Sequence, residues 1–347
     1  MRRIFLFALC SGLLILPVAA QQYFQNSLSN YTQYGFNPAA VSSRKIGMQE
    51  GSYLTLLGRL QWLGLPQGPQ TSYLSYETFL PDNAGYVGGR LMVDAQGPLS
   101  VTWLEGSYAF GFDIGVASKL RIGASAGIKQ FTLDGTQLNP AELGDVVIPQ
   151  SIVGTAVPAL STGVYLTGNY PGTRATSTSL GSSAELRYFA GFSIQNLLEP
   201  SIENILLTPN SNNLESRDER TFILSGGYNF KLDTRMRLMP SVTIMTNGVS
   251  LPQASLSALW SYDPISVGLT YRRFDQPSVE SVGLILGVNV NTNLTVTYAY
   301  DYPLLSLNGN GDINSHELVI TYLIKAGGGR NAPKEGDILK KGDGSSF

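Results

Sequence analysis

His316 is the first residue to consider for chemistry, because it is the only histidine in 347 residues. Glu317 follows it directly, and Ser315 precedes it. Neighbours along a strand point to opposite faces, so this Ser and His cannot pair with each other, and the sequence has no second histidine for a His-rich metal site. We therefore expect no catalysis, no metal and no cofactor. We interpret these residues as the start of a strand, in which either His316 or Glu317 points inward and pairs with an Arg or a Tyr.

A second group of candidate residues surrounds a short loop. Arg59, Gln61 and Trp62 precede the sequence GLPQGPQT, residues 64–71, which contains two prolines and two glycines. Such a composition predicts a rigid turn, here with Pro69 in it, and Trp62 is expected at a membrane interface or beneath the loop. Two interpretations remain open, an ordinary interfacial tryptophan on a rigid hairpin or part of a platform for a secreted partner.

The overall composition restricts the classes of protein that the chain can belong to. Charged residues make up 14%, against about 25% in a typical soluble protein, whereas the chain contains 38 Gly and 18 Tyr. The net charge of −2 provides no basic field for polyphosphate, so we expect no nucleic-acid partner.

The first 20 residues have the pattern of a cleavable signal peptide. Arg2 and Arg3 precede an apolar run from Ile4 to Val18, and small residues lead to a cleavage site after Ala20. The run is too short for a transmembrane helix of about 20 residues. Cleavage would also remove Cys10, the only cysteine, so disulfides are excluded from the mature chain. The chain is expected to be exported, either as a soluble β-sandwich or as an outer-membrane β-barrel.

Alternation along the chain favours the barrel. Between Ile265 and Arg273 apolar residues alternate with Ser, Gly, Thr and Arg, and the same period-two pattern runs from Leu294 to Asp301. The other face of these strands carries few charges, unlike the solvated face of a soluble sandwich. The pattern predicts an all-β, up-and-down transmembrane barrel of about 14 antiparallel strands, with aromatic residues at the membrane interfaces. The predicted strands are 52–63, 70–79, 85–94, 99–111, 119–133, 160–168, 182–195, 220–231, 234–247, 252–262, 264–274, 280–291, 293–302 and 315–325.

The connections between the predicted strands indicate an orientation. With an even number of strands both chain ends lie on one side, and short turns on that side with long loops on the other are typical of barrels whose ends face the periplasm. Three connections, 134–159, 196–219 and 303–314, are long and are expected outside. Within the second, apolar residues from Asn196 to Leu207 have the spacing of a short helix.

Five stretches in order resemble the PorP/SprF family of outer-membrane proteins of the type IX secretion and gliding machinery. The first contains an Asn-Pro-Ala motif at Asn37 and Pro38, just after Tyr34, and the second an Arg-x-Gln-Trp-x-Gly motif that starts at Arg59. The Asn-Pro-Ala motif continues into Val41 and Ser42, where the family usually has Ala-Gly. The stretches are YTQYGFNPAAVSS (31–43), RLQWLGLPQGPQTSYLSYE (59–77), GGRLMVDAQGPLS (88–100), LRIGASAGIKQFTLDG (120–135) and YDYPLLSLNGNGDINSHELVITY (300–322).

The resemblance implies a non-enzymatic barrel in outer-membrane lipid that acts with type IX secretion components. It also implies binding or surface attachment of large secreted adhesins through their C-terminal domains. The residues that it marks for partner binding or for a plug are Tyr34, Asn37, Pro38, Arg59, Gln61, Trp62, Pro69, His316 and Glu317. A diffusion or uptake channel for small solutes remains the alternative, because the predicted inner face is polar.

The two ends of the mature chain differ in character. Residues 21–51 carry five aromatic residues, including Tyr31 and Tyr34, whereas residues 326–347 are glycine-rich and carry only Phe347. Aromatic side chains gain about 25 cal/mol per Å² of apolar area on burial. We therefore expect 21–51 to plug the barrel that residues 52–325 form, and 326–347 to be a flexible tail that meets a periplasmic partner.

Overall fold

The structure is a computed structural model and describes residues 51–64, 67–80, 85–114, 118–137, 151–170, 186–202, 217–248, 252–273, 281–304 and 314–326. The predicted signal peptide, the predicted plug except Gly51, and the predicted tail except Ala326 lie outside the described residues. Tyr34, Asn37 and Pro38 lie outside them too, so their roles stay predictions.

Fifteen strand segments follow one another along the described residues. Their bounds are β1 (Gly51–Leu60), β2 (Gln70–Phe79), β3 (Tyr86–Gln96), β4 (Leu99–Asp113), β5 (Ser118–Asp134), β6 (Ile152–Asn169), β7 (Leu186–Gln195), β8 (Thr221–Tyr228), β9 (Phe230–Lys231), β10 (Met236–Thr246), β11 (Gln253–Tyr262), β12 (Ile265–Arg273), β13 (Ser281–Asn289), β14 (Leu294–Pro303) and β15 (Ser315–Ala326). β8 and β9 are one strand interrupted at Asn229, so the segments make 14 strands.

Antiparallel pairing joins each strand to its neighbours in the chain and joins β15 back to β1. The closing pair runs from Gly51 opposite Ala326 to Leu60 opposite His316. The predicted fold class, a closed up-and-down barrel of 14 strands, is thus confirmed. We call the rim that carries Gly51 and Ala326 the terminal rim and the opposite one the distal rim.

Proline explains why β8 and β9 are separate segments. Pairing of β10 with β8 ends at Ser241 opposite Gly227 and resumes with β9 at Leu238 opposite Phe230, in the same register. Pro240 stands between these two pairs, and a proline has no N–H to donate to the ladder. The interruption is therefore local, and the barrel wall continues across it.

Two predictions differ markedly from the structure. The sixth strand was expected at 160–168, but β6 begins at Ile152, because it pairs with β5 as far as Asp134 opposite Ile152. The helix predicted from Asn196 to Leu207 is wrong for the residues that the structure describes, 196–202. Asn196 and Glu199 have φ of 54° and 44°, which an α-helix cannot include. Ser201 instead forms a bridge with Arg217. In the described ranges, no helix has the length and the apolar character to cross a membrane.

Alternate residues of each strand face outward and inward, as the sequence predicted. In β12, Leu269 is 57% exposed on the outer face, whereas the next residue, Thr270, is 2% exposed and faces the interior, which we call the lumen. Aromatic residues lie on the outer face at the strand ends, for example Phe110 and Phe112 near the terminal rim and Tyr302 near the distal rim. This arrangement matches the apolar band and aromatic girdles of a transmembrane barrel.

The lumen contains apolar layers in addition to polar groups. One cluster of buried residues joins strands β15 and β1–β4 to strands β6, β8 and β10; its members are Leu57, Tyr73, Met92, Trp103, Ala159, Ile223, Met245 and Val319. A second cluster joins β6 and β7 to strands as far as β14; its members are Tyr165, Leu186, Phe189, Met239, Leu259, Ile285 and Ala299. Inward side chains of these strands therefore pack against one another.

Glycine makes room for the second of these layers. Tyr165 stacks on Phe189, with ring centroids 5.9 Å apart. Gly191 lies directly opposite Tyr165, and a Cβ at Gly191 would be 2.3 Å from the Tyr165 ring. Any side chain at this position would displace the ring from the wall.

Candidate functional site

The candidate site is the part of the lumen nearest the distal rim, and its first component is a cluster of four charges. Arg59 donates through Nη2 to Asp301 Oδ2 at 2.8 Å and through Nη1 to Glu317 Oε2 at 3.0 Å. Arg272 donates through Nη2 to the same Asp301 oxygen at 2.6 Å. All four side chains are buried, so two cations and two anions compensate one another away from water.

Strand pairing brings this cluster together. Arg59 of β1 lies directly opposite Glu317 of β15, on the two strands that close the barrel. Asp301 comes from β14 and Arg272 from β12. The expectation that His316 or Glu317 points inward and pairs with an Arg is confirmed for Glu317.

His316 lies on the other side of the wall. It is half-buried on the outer face, where its Nδ1 shares a 2.5 Å hydrogen bond with the Tyr298 hydroxyl. The Tyr300 ring meets it edge-on, with centroids 5.3 Å apart. His316 is therefore part of an aromatic group near the distal rim and does not belong to the lumen cluster.

The turn between β1 and β2 is tied to the start of β15. The Gln61 amide donates to the Pro69 carbonyl at 2.8 Å, the Trp62 amide to Ser315 Oγ at 3.3 Å, and the Leu63 amide to the Asn314 carbonyl at 3.0 Å. Trp62 is half-buried and has a φ of 56°, which is uncommon for a residue with a bulky side chain. The structure thus brings Arg59, Gln61, Trp62 and Pro69 together with Glu317 at the distal rim. The rigidity of the turn stays a prediction.

A tryptophan between two cations is the component that the sequence reasoning missed. Trp103 is 1% exposed, with the Arg90 Cζ 3.9 Å and the Lys129 Nζ 4.0 Å from its ring centroid. Arg90 also donates through Nε to Glu105 Oε2 at 3.0 Å. The alternation places all of these residues inward, but only the strand register shows that Trp103 lies opposite Lys129 and Arg90 opposite Glu105.

Lys129 also holds part of the connection between β7 and β8 inside the mouth of the barrel. Its Nζ donates to Asn196 Oδ1 at 2.7 Å and to Asp218 Oδ2 at 2.6 Å, and Asn196 Nδ2 donates to Asp218 Oδ1 at 3.0 Å. Ile202 of the same connection is buried against inward residues of β5 and β6, namely Phe131, Leu133 and Val157. We call residues 196–202 and 217–220 the stem.

The chemistry available here is recognition and anchoring. The four charges of the ion cluster are paired with one another, and Lys129 is paired with Asp218 of the stem. Among the residues that the structure describes, no group of three or more His, Cys, Asp or Glu could hold a metal ion.

The chain is similar to one described family and to several solved structures. The model of the family "Type IX secretion system membrane protein PorP/SprF" matches residues 18–322. A search among curated proteins gave no match. Among solved structures, the outer membrane protein Omp33 of Acinetobacter baumannii is similar with a TM-score of 0.45 and 7% identity, over 80% of this chain and 99% of that one. The CymD monoaromatic hydrocarbon channel is similar with a TM-score of 0.45 and 14% identity, over 84% of this chain and 91% of that one. A Pseudomonas aeruginosa FadL homologue is similar with a TM-score of 0.43 and 12% identity, over 83% of this chain and 94% of that one.

Proposed function

Since this chain belongs to the PorP/SprF family of type IX secretion system membrane proteins, we propose that it binds or anchors secreted surface proteins, of the adhesin class, at the outer membrane. In this proposal the barrel is not an enzyme. Its partners are components of the secretion system and the C-terminal domains of secreted substrates. The membrane holds the barrel by its apolar outer face, while the distal rim is available to a partner.

The packed lumen is the observation that carries this proposal. A solute channel needs a continuous polar passage, whereas here apolar clusters and paired charges occupy inward positions on nearly every strand. Moving these side chains to open a passage would leave buried charges such as Glu317 and Asp301 without their partners. A barrel of this kind is better suited to present a fixed surface than to conduct.

The turn between β1 and β2 is the first part of that surface to test. Its described residues are hydrogen-bonded to one another and to the start of β15, it follows Arg59 directly, and Trp62 provides the large amphipathic side chain that dominates many protein interfaces. In the proposed function this turn and the stem form the docking face at the distal rim.

The test is affinity purification of the tagged barrel from detergent-solubilised outer membrane, followed by mass spectrometry. We expect type IX components or secreted substrates to co-purify with the wild-type protein and to be reduced at least tenfold with Trp62→Ala. Trp260→Ala is the matched control, because Trp260 lies on the outer face near the terminal rim. If no protein of this system accompanies the wild type, the proposed function is wrong.

A diffusion or uptake channel is the second candidate, and the polar inward residues such as Ser257, Thr270 and Thr297 are the observation that favours it. Conductance of single purified barrels in a planar bilayer separates the two candidates. The binding proposal expects no steady large current. A stable open-channel current from the wild-type protein would favour the channel.

A further inference from the structure

Five buried cations lie in the described strands and face this lumen, and four of them are paired with carboxylates. Arg59, Arg90, Arg272 and Lys129 each have a carboxylate partner within ion-pair distance. The fifth is Arg121 of β5, which is 3% exposed. Among the residues that the structure describes, no carboxylate forms an ion pair with Arg121.

The contacts of Arg121 are with neutral groups. Its Nη1 donates to Thr167 Oγ1 at 2.8 Å, and its Cζ lies 5.4 Å from the centroid of the Tyr86 ring. Its Nε is buried and has no acceptor among the described residues. A buried charge that is neither paired nor fully hydrogen-bonded is costly, and an arginine cannot lose its proton to escape that cost.

The position of Arg121 is close to the terminal rim. It lies opposite Gly111 of β4 and two residues after Lys119, near the start of β5. A Cβ at Gly111 would be 3.3 Å from Arg121 Cγ, so glycine leaves room for the arginine side chain on the wall. Lys119 Nζ lies 4.0 Å from Asp113 Oδ1, so these two charges compensate each other. Arg121 is left as one positive charge without a paired carboxylate among the described residues.

We propose that Arg121 is the centre of a carboxylate-binding site on the inner wall at the terminal rim. One uncompensated positive charge fits one singly charged anion, and the planar fork of a guanidinium matches a carboxylate. The Thr167 hydroxyl accepts from Arg121 Nη1 and donates to the Lys119 carbonyl, so it holds the guanidinium in place on the wall. This site is separate from the docking face of the proposed function, which lies at the distal rim, and it is independent of that proposal.

The experiment compares two arginines of the same lumen, Arg121→Gln with Arg90→Gln, in the full-length protein in detergent. Thermal unfolding is followed in chloride and in acetate at equal ionic strength. A ligand that binds only the folded state raises the unfolding midpoint as its concentration rises. We expect acetate to raise the wild-type midpoint and to leave that of Arg121→Gln unchanged.

Arg90→Gln provides the contrast, because it leaves Glu105 buried without its cation. We expect it to lower the midpoint in both salts and to retain the response to acetate. In chloride, Arg121→Gln should unfold at or above the wild-type midpoint, because it removes an uncompensated charge. If it instead unfolds as early as Arg90→Gln and the wild type does not respond to acetate, Arg121 is structural and the proposal is wrong.

Further arms identify the ligand. An end-blocked Gly-Glu-Gly peptide that acts like acetate indicates a glutamate side chain of a polypeptide, whereas a response to acetate alone indicates a small free carboxylate, and either result supports the site. A larger response to phosphate than to acetate would contradict the carboxylate class. Arg121→Lys keeps the charge without the planar fork and should respond to acetate less than the wild type does. A full response in Arg121→Lys would also contradict the proposed geometry.

Discussion

Arg59 is shared between two carboxylates, and this shows how single residues of the lumen depend on one another. Asp301 receives hydrogen bonds from both Arg59 and Arg272, and Glu317 receives one from Arg59. The two arginines are therefore unequal, although both are buried and both contact Asp301. Removal of Arg59 takes a hydrogen bond from two anions, and removal of Arg272 takes one from Asp301, which keeps its bond to Arg59.

Arg59→Met should accordingly destabilise the barrel by about 3–5 kcal/mol, the usual cost of leaving one member of a buried pair without its partner. Arg272→Met is the matched control and should cost about 1.5–3 kcal/mol, the range for hydrogen bonds to charged groups. Equilibrium unfolding in urea measures both changes. Equal losses would contradict the assignment of Arg59 as the shared residue.

His316→Ala should cost only about 0.5–1.5 kcal/mol, because it removes one hydrogen bond, to the Tyr298 hydroxyl on the outer face. Tyr298→Phe should have an effect of the same size, since it removes the other half of that bond. The same urea titration measures both. We also expect no esterase activity that depends on His316. An esterase rate of the purified protein that vanishes in His316→Ala would overturn the proposal that the barrel is not an enzyme.

The strands and the stem form the next level of organisation. Each strand presents an apolar face to lipid and a packed face of apolar and polar residues to the lumen. A substitution on either face therefore has a cost. Thr270, for example, faces inward, where its hydroxyl is hydrogen-bonded to Ser257 at 2.8 Å. The placement of a strand is therefore better tested by two charged substitutions at different depths on its outer face than by one substitution on each face.

Leu269→Arg should destabilise the barrel by about 2–4 kcal/mol, since Leu269 faces outward near the middle of β12. Ile265→Arg is the matched control on the same face of the same strand, and its position at the terminal rim should reduce the cost to about 0–1 kcal/mol. Reversible unfolding in the presence of lipid vesicles gives both values. Similar losses at the two depths would contradict this placement of the strand in the membrane.

Lys129→Met should release the stem, because it removes the cation that Asn196 and Asp218 share. The amides of Leu197 and Asp218, which donate to the carbonyls of Leu160 and Pro200, should then exchange faster with deuterium. Hydrogen exchange read by mass spectrometry or NMR measures this change. Lys231→Met, on a lysine exposed near the terminal rim, should leave both amides unchanged.

At the scale of the whole molecule, closure places both ends of the described chain on one rim and the stem on the other. The barrel therefore has two chemically different openings, one with the candidate docking face and one with the Arg121 site. The sequence predicts that the terminal rim faces the periplasm, and this orientation determines which partners can reach each opening. It is a property of the complete barrel and can be tested as one.

Single cysteines provide that test, because cleavage of the predicted signal peptide would remove Cys10, the only cysteine of the sequence. Gln137→Cys at the distal rim should react with a membrane-impermeant maleimide on intact cells. Arg235→Cys at the terminal rim should react only after the outer membrane is permeabilised. The opposite labelling pattern would reverse the orientation and, with it, the side from which a secreted partner docks.

The sequence alone determined the fold class, the number of strands and most of their bounds, together with which residues of a strand share a face. Period-two alternation arises from the pleat of a single strand, so it can be read locally, as at Leu269 and Thr270. Alternation also requires His316 and Glu317 to lie on opposite faces, but the sequence analysis left open which of them points inward.

Only the tertiary structure decided that Glu317 is the inward residue, that Arg59 joins it to Asp301, and that Lys129 holds the stem. These contacts connect residues far apart in the chain, and they depend on the register of every strand pair and on closure of β15 against β1. A helical pattern at residues 196–207 failed in the described part for the same reason, because contacts with Lys129 and with the β5–β6 wall outweighed the local spacing.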